Sequence, residues 1–371
     1  MRHIPLAKPY FTEEEIDEVR EVLRSGWVAQ GPKVKALEEM IANYSSARYG
    51  VAVNSCTSAL HLSLLAHDIS EGDKVIIPDF TFTATGNVVL HVGAEPIIVD
   101  IDLSTFCIDI EEIEKAIEND VKAILPVHAF GYPANIRKIN QIAKKNGLVV
   151  IEDAALALGS EFEGKKIGSY GNTACFSLQG RKVITTGEGG IVLTSDDRVA
   201  ETLRSLRSQG ASPSDNVSGK VNLPIFRLIG FSYRLSDIQA AIGLVQMKRI
   251  EDFIKRRIYL AKYYRDLFED LDLNIQTPIV VEGNRHNYQT YVVILEDNRD
   301  EMILYLKEKG IESTIGTYSL STLPMFQKNK VFSNSYYVFK HSLALPMYHD
   351  LTEEDIQYIV KNIKNIIDNK I

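Results

Sequence analysis

The sequence predicts an α/β fold, a large unit with a mostly parallel sheet covered on both faces, followed by a smaller α+β C-terminal unit. Two observations carry this. Between residues 49 and 153, runs rich in β-branched residues ("DKVIIP", "EPIIVDID", "VKAILPVH", "LVVIED") alternate with helical stretches such as "IEEIEKAIE" and "INQIAKKNG". Near-continuous apolar strands separated by helices mark a sheet buried on both sides. From about residue 240 the text turns helical, "IQAAIGLVQMKRIEDFIKRRIYLAKYYRDLFEDL", before "YQTYVVILE" and "EDIQYIVKNIKNII". The boundary is set near residue 250, with 1–250 as the large unit and 251–371 as the small one.

The elements follow in order. "FTEEEIDEVREVLRSG" starts with Thr12, has Glu15 three residues later and ends at Gly26. That is a capping box, a helix and a glycine stop. This helix is a candidate to pack on the small unit. It leads into the turn "GWVAQGP". "ACFSL" and "GGIVLTSD" read as later strands and "VAETLRSLRSQG" as the helix after them, while the Gly/Ser/Pro-rich stretch 208–224 reads as a mobile surface loop.

Composition excludes several classes of function. Forty-one Lys and Arg against 49 Asp and Glu leave a charge of −8 over 371 residues, with no basic stripe for nucleic acid. No apolar run approaches the roughly 18 residues that span a bilayer, and the start lacks a signal-peptide core. A cytoplasmic protein without a membrane partner is expected. Cys56, Cys107 and Cys175 are scattered, without the spacing of a disulfide framework or a zinc site, and no metal is expected.

Chemistry gathers at three places. "CFSLQGRKVITTGEGG" holds Lys182 five residues after Ser177 and before a glycine cluster. Asp153 follows the buried-looking run "GLVVIE", at a strand's carboxyl end, where open parallel sheets bind ligands. Taken alone, that aspartate could cap a helix, bind a metal or hold a protonated heterocycle. "NSCTSALHL" is a strand end opening a helix, with Ser55, Thr57 and Ser58 at the turn, which is an anion site or a plain N-cap. Together they suit pyridoxal 5′-phosphate: an amine for the aldehyde, a carboxylate to keep the ring nitrogen protonated and a helix start for the phosphate. No GxxxxGK[ST] loop and no GxGxxG fingerprint is present.

These motifs, with "SGWVAQGPKVKALEE", "PDFTFTATGNVVLHVGAEPIIVDID", "LPVHAFGYPANI", "GFSYRLSDIQAAIGL" and "GIESTIGTY", resemble the DegT/DnrJ/EryC1/StrS sugar-nucleotide aminotransferases, of the aspartate-aminotransferase (type I) fold, nearly end to end. The resemblance implies that Lys182 is the Schiff-base lysine and proton shuttle, that Asp153 pairs with the pyridine nitrogen and that Phe82 stacks on the ring. Thr57, the backbone at Cys56, Ser177 and Ser232 would hold the phosphate. The segment matching "GFSYRLSD" would reach the cofactor of the neighbouring subunit in a homodimer. Trp27, His128 and Tyr318 are candidate substrate contacts, each with a plain structural alternative.

The implied reaction moves an amino group from glutamate to a nucleotide-linked keto sugar, with pyridoxamine 5′-phosphate as the intermediate form of the cofactor. "TTGEGG", "LRSLRSQG" and "GFSYRLSDIQAAIGL" most resemble perosamine-type synthases, which points to a 4-keto-6-deoxy acceptor for glycoconjugate or polysaccharide synthesis. A 3-keto sugar, a cyclitol ketone and a non-catalytic cofactor-binding dimer are the alternatives. Lys182 separates the chain from a deoxygenating subgroup that carries histidine there. Leu156, Ser232, Cys56 and Ser321 depart from the family's usual His/Glu/Gln, Asn, Gly and His, and a narrowed sugar pocket or neutral drift fits them equally.

Overall fold

The computed structural model describes residues 2–212, 223–327 and 330–368. Its centre is a seven-stranded sheet of β1 (Tyr49–Val53), β2 (Lys74–Pro78), β3 (Glu95–Val99), β4 (Val121–Ile124), β5 (Val149–Asp153), β6 (Thr173–Ser177) and β7 (Gly190–Thr194). The spatial order is β1-β7-β6-β5-β4-β2-β3. Neighbours run parallel except β7, which is antiparallel to both β1 and β6.

The strands are apolar on both faces because helices cover both. Ala52, Ile76, Ile124, Val150, Phe176 and Ile191 enter one hydrophobic core. Their chain neighbours Val53, Ile77, Ala123, Ile151, Cys175 and Val192 enter the other. Successive side chains of a strand point to opposite faces, so only strands apolar at nearly every position can serve two cores. Each fully buried Val or Ile contributes about 1.5–3 kcal/mol.

A second sheet, in order β8-β9-β11-β10, is made of β8 (Ile275–Gln276), β9 (Tyr291–Leu295), β10 (Thr314–Ile315) and β11 (Ser342–Leu345). It lies against a third core with Leu260, Tyr264 and Phe268. The helix Ile250–Asp270 serves two cores, Phe253 and Ile254 packing in the first and Leu260 and Tyr264 in the third. We propose that the two units divide near residue 250 and share this helix as their brace.

The N-terminal helix Glu13–Ser25 has the capping box between Thr12 and Glu15 and a left-handed Gly26 at its end. It lies on the helix Asp237–Lys248 of the large unit, where Glu15 accepts from Gln246 Nε2 at 2.6 Å and from Arg249. The expected packing of this helix on the small unit is therefore corrected. Its buried acid is satisfied by partners at the end of the large unit, and it is the strand-like segment at Ile4 that crosses to the small one, bridging Ile311. Most of the loop read at 208–224, residues 213–222, lies outside the described residues.

One carboxylate organises the turn before the helix Pro32–Tyr44. Asp237 accepts from the backbone N–H of Gly31, Lys33 and Val34 at 2.8–3.1 Å. It does for this helix what an N-cap side chain does, since Gly31 has none. Asp237→Ala is expected to cost about 2 kcal/mol or more, because buried donors lose a charged acceptor. Urea unfolding should show a lower midpoint at unchanged slope; an unchanged midpoint would remove this role.

Candidate active site

The carboxyl ends of the parallel strands meet the small unit across a cavity of about 550 Å³. The register places the expected residues in a row. Asp153 at the end of β5 pairs with Cys175 of β6, Ser177 ends β6 and pairs with Gly190 of β7, and Gly190 pairs with Val53 at the end of β1. Val53 leads through Asn54 and Ser55 into the helix Cys56–Ala66.

That helix start is open for an anion. Ser55 Oγ caps Ser58 N–H, and Ser55 O accepts from Ala59 N–H. Among the described residues the N–H groups of Cys56 and Thr57 then have no hydrogen-bond partner, as donors of a first turn. Gly190 backs this turn so closely that a Cβ there would lie 2.5 Å from the Ser55 carbonyl carbon and 2.6 Å from Cys56 N. Only glycine fits. The Cys56 thiol is turned inward, donating to Cys175 O at 3.5 Å, and burial pushes its pKa well up. Its backbone, and the side chains of Thr57 and Ser177, are what the residues offer a phosphate.

Lys182 sits in the connection between β6 and β7. The connection is closed at its base by Leu178 N–H to Gly189 O at 2.9 Å, and by Thr186 N–H and Thr185 Oγ1 to Leu178 O. Val183 and Ile184 are buried behind the lysine. The chain around Lys182 is thus pinned while its amine faces the cavity without a hydrogen bond or ion pair among the described residues. Burial pulls the amine's pKa below the usual lysine value, against the opposing effects of Cys56 and Asp153. A lowered pKa makes the neutral amine, the form that acts as nucleophile and base, easier to reach.

Asp153 accepts from Thr85 Oγ1 at 2.8 Å and from Ala155 N–H at 3.2 Å. Thr85 also bonds Thr81 Oγ1 at 2.8 Å, on the first turn of the helix Thr83–His91. Burial pushes the Asp153 carboxyl above its usual value, against the pull of Thr85, Ala155, Lys182 and His128. A buried acid in that state fits a cationic ring nitrogen, which would restore its ionised form. Phe82, 62% exposed at the head of the same helix, and Tyr318, with ring centroids 6.3 Å apart, border the open side.

A helix start and a lysine that are both unpaired among the described residues, a buried carboxylate and an exposed aromatic side chain on one cavity fit pyridoxal phosphate. The model of the DegT/DnrJ/EryC1/StrS aminotransferase family matches residues 9–364. The chain belongs to the DegT/DnrJ/EryC1/StrS aminotransferase family. It is 35% identical over 373 residues to the GDP-perosamine synthase of Caulobacter vibrioides, covering 98% of each chain. It is 34% identical over 386 residues to the UDP-4-amino-4-deoxy-L-arabinose–oxoglutarate aminotransferase of Shewanella sediminis, covering 99% of each. A candidate sugar aminotransferase of Streptococcus pneumoniae, Spr1654, solved in its pyridoxamine-phosphate form, superposes with a TM-score of 0.93 at 28% identity over all of both chains. This member of the family is a pyridoxal-phosphate-dependent aminotransferase with the type I fold.

Lys182, Asp153, Phe82, Cys56, Thr57, Ser177 and Tyr318 all line the cavity. His128 does not. Its ring is fully buried, with Nδ1 accepting from Ala134 N–H at 3.0 Å and Nε2 2.9 Å from Glu152 Oε2. Both nitrogens are spent inside the large unit, which corrects the reading of His128 as a substrate contact. Ser321 is likewise off the cavity, buried with its N–H on Asp79 Oδ1 at 2.6 Å. Leu156 does face the cavity, and its side chain offers no hydrogen bond.

Trp27 and Ser232 lie outside the cavity of their own chain. Trp27 is exposed, with Nε1 on Gln30 O at 3.2 Å, and Ser232 Oγ accepts from Arg234 at 3.0 Å. Sequence reasoning missed Thr85, which holds Asp153, and the cavity residues Gln179, Arg181, Gln289 and the wall from Thr314 to Thr317. Thr85 had a signal, standing one turn after Thr81 at the start of a helix. Gln289 had none, because only the meeting of the two units brings it to Lys182.

No helix among the described residues is long and apolar enough to cross a membrane.

Proposed function

We propose that the protein moves an amino group from glutamate to a nucleotide-linked keto sugar, with C4 of a 4-keto-6-deoxy sugar as the carbon aminated. The observation that carries the transfer chemistry is Lys182, an amine without a hydrogen bond or ion pair among the described residues, in the same cavity as the hydrogen-bonded Asp153. The C4 position is supported by two relatives named for perosamine and 4-amino-4-deoxy-arabinose nucleotides, and the 6-deoxy sugar by the first of them, since arabinose has no sixth carbon. The role is a step in glycoconjugate or polysaccharide synthesis.

When bound, pyridoxal phosphate accepts the electrons released as the donor's α-carbon loses its proton. Lys182 would hold its aldehyde carbon covalently, and the first turn at Cys56 and Thr57, with Ser177, would hold its phosphate. Released from that bond, Lys182 Nζ takes the α-proton of glutamate, and in the second half it returns a proton to the sugar carbon that gains nitrogen. Thr85 and Ala155 hold the Asp153 carboxylate, which would pair with the ring nitrogen. The net change is glutamate plus ketone to 2-oxoglutarate plus amine, with no outside oxidant or reductant.

The test is purified enzyme with glutamate and a panel of 3-keto and 4-keto sugar nucleotides, followed by mass spectrometry of the sugar. Amination of a 4-keto sugar is expected. Amination of a 3-keto sugar or a cyclitol ketone alone would overturn the assignment.

We further propose that the active unit is a homodimer in which Trp27 and Ser232 serve the partner's cavity. Both residues are exposed on the chain's own surface, as are the apolar Phe226 and Ile229, at 63% and 93%. Sedimentation should give a species of twice the 41.6 kDa chain mass; a fully active monomer would end this reading.

A further inference from the structure

Arg181 immediately precedes Lys182 and lines the same cavity, exposed to solvent. Among the residues lining that cavity it is the only cation besides Lys182, which the chemistry already uses. The root of the side chain is fixed at both backbone groups. Arg181 N–H donates to Gln179 Oε1 at 2.9 Å, and Arg181 O accepts from Gln289 Nε2 at 2.7 Å, so the large and small units both hold it.

The head is free. Among the described residues the guanidinium has no hydrogen bond and no ion pair, although the carboxylates of Asp153 and Glu188 line the same cavity. Glu312, across toward the small unit, has its carboxyl held low first by the Leu6 N–H and also by the charge of Arg181. The bond from Gln289 Nε2 to Arg181 O places Arg181 on the side of the cavity where the two units meet. A guanidinium on an anchored stem, unpaired beside a second basic group, is built to take an oxyanion in its planar fork.

Both substrates of the proposed reaction bring one. Glutamate carries its side-chain carboxylate, and a nucleotide sugar its phosphate, each a few bonds from the carbon that exchanges nitrogen. The two substrates occupy the cavity in turn, so one cation suffices for both. Resting on the function proposed above, we propose that Arg181 is the residue that recognises the anionic end of the substrates, selecting an acidic amino donor over a neutral one and engaging the phosphate of the sugar nucleotide.

Arg181→Gln and Arg181→Lys would be compared with the wild type, each loaded with cofactor. The Gln variant should raise KM for glutamate by about 10- to 100-fold, the size of a lost charged hydrogen bond. Its kcat should change far less, and its preference for glutamate over glutamine should collapse. Calorimetry should show a matching loss of affinity for 2-oxoglutarate, read without turnover. The Lys variant should recover part of each effect. KM for the sugar nucleotide, measured at saturating glutamate, is the second arm.

A rise for both substrates supports the shared role, and a rise for one assigns the anion to that substrate. Unchanged KM and unchanged 2-oxoglutarate binding in the Gln variant would overturn the proposal. A wild type that transfers nothing from glutamate would instead refute the functional reading, and the calorimetric arm would still judge Arg181. An unaltered cofactor absorption spectrum in the variants would exclude a folding defect.

Discussion

Lys182→Ala is expected to abolish transamination, with a fall of about 10³-fold or more, because the nucleophile and the proton-transfer group disappear together. The folded protein should survive. Lys182 makes no side-chain hydrogen bond or ion pair among the described residues, and burial makes its charged form unfavourable, so truncation removes a cost as well as a function. The variant should still take up pyridoxal phosphate at the Cys56–Thr57 turn, but borohydride should no longer fix the cofactor to the chain. Retained borohydride labelling with retained activity would mean that another amine does the work. In the wild type the same desolvation sets the acid limb of the pH profile. Below the pKa of Lys182 the amine is protonated and cannot take the α-proton, so activity rises with pH through that pKa. Because burial lowers it, the rise should be complete below the ordinary lysine range.

Asp153→Asn is expected to lower kcat by about 10²–10³-fold, the magnitude seen when a group stabilising developing charge is removed from a preorganised site. An amide has the carboxylate's shape; its oxygen can still accept from Ala155 N–H while its NH2 faces Thr85 Oγ1, a hydroxyl that can accept as well as donate, so the local structure should remain. What is lost is the negative charge that would keep the ring nitrogen protonated. The absorption of bound cofactor should shift, and conversion by glutamate should slow, while cofactor affinity falls less than the rate. An Asn variant with wild-type turnover would show that the ring nitrogen draws its proton from elsewhere. Together the two variants separate covalent attachment from electronic activation.

Much of the site was legible because its parts are local. A capping box, a strand ending in an acid and a hydroxyl-rich helix start are written in consecutive residues, and their consequences are dictated by backbone geometry. Lys182, Asp153 and the turn at Ser55 to Thr57 could therefore be found one by one and recognised as a set. His128 misled for the same reason. Its position at a strand end matched a ligand contact, and nothing nearby in sequence announced that Ala134 N–H and Glu152 would claim its ring.

By itself, then, the sequence determined the alternation of buried strands and helices, the three pieces of a cofactor site and the family they belong to. Apolar periodicity and capping act over a few residues, where chain connectivity already restricts geometry. The tertiary structure decided what lies far apart along the chain. It set the row from Asp153 through Ser177 and Gly190 to the turn after Val53, and the threonine behind the aspartate. It gave the N-terminal helix its seat on Asp237–Lys248, and it joined Gln289 to the backbone of Arg181. Those contacts depend on strand order and on how two hydrophobic cores share one helix. Both follow from packing the whole chain rather than from any stretch of it.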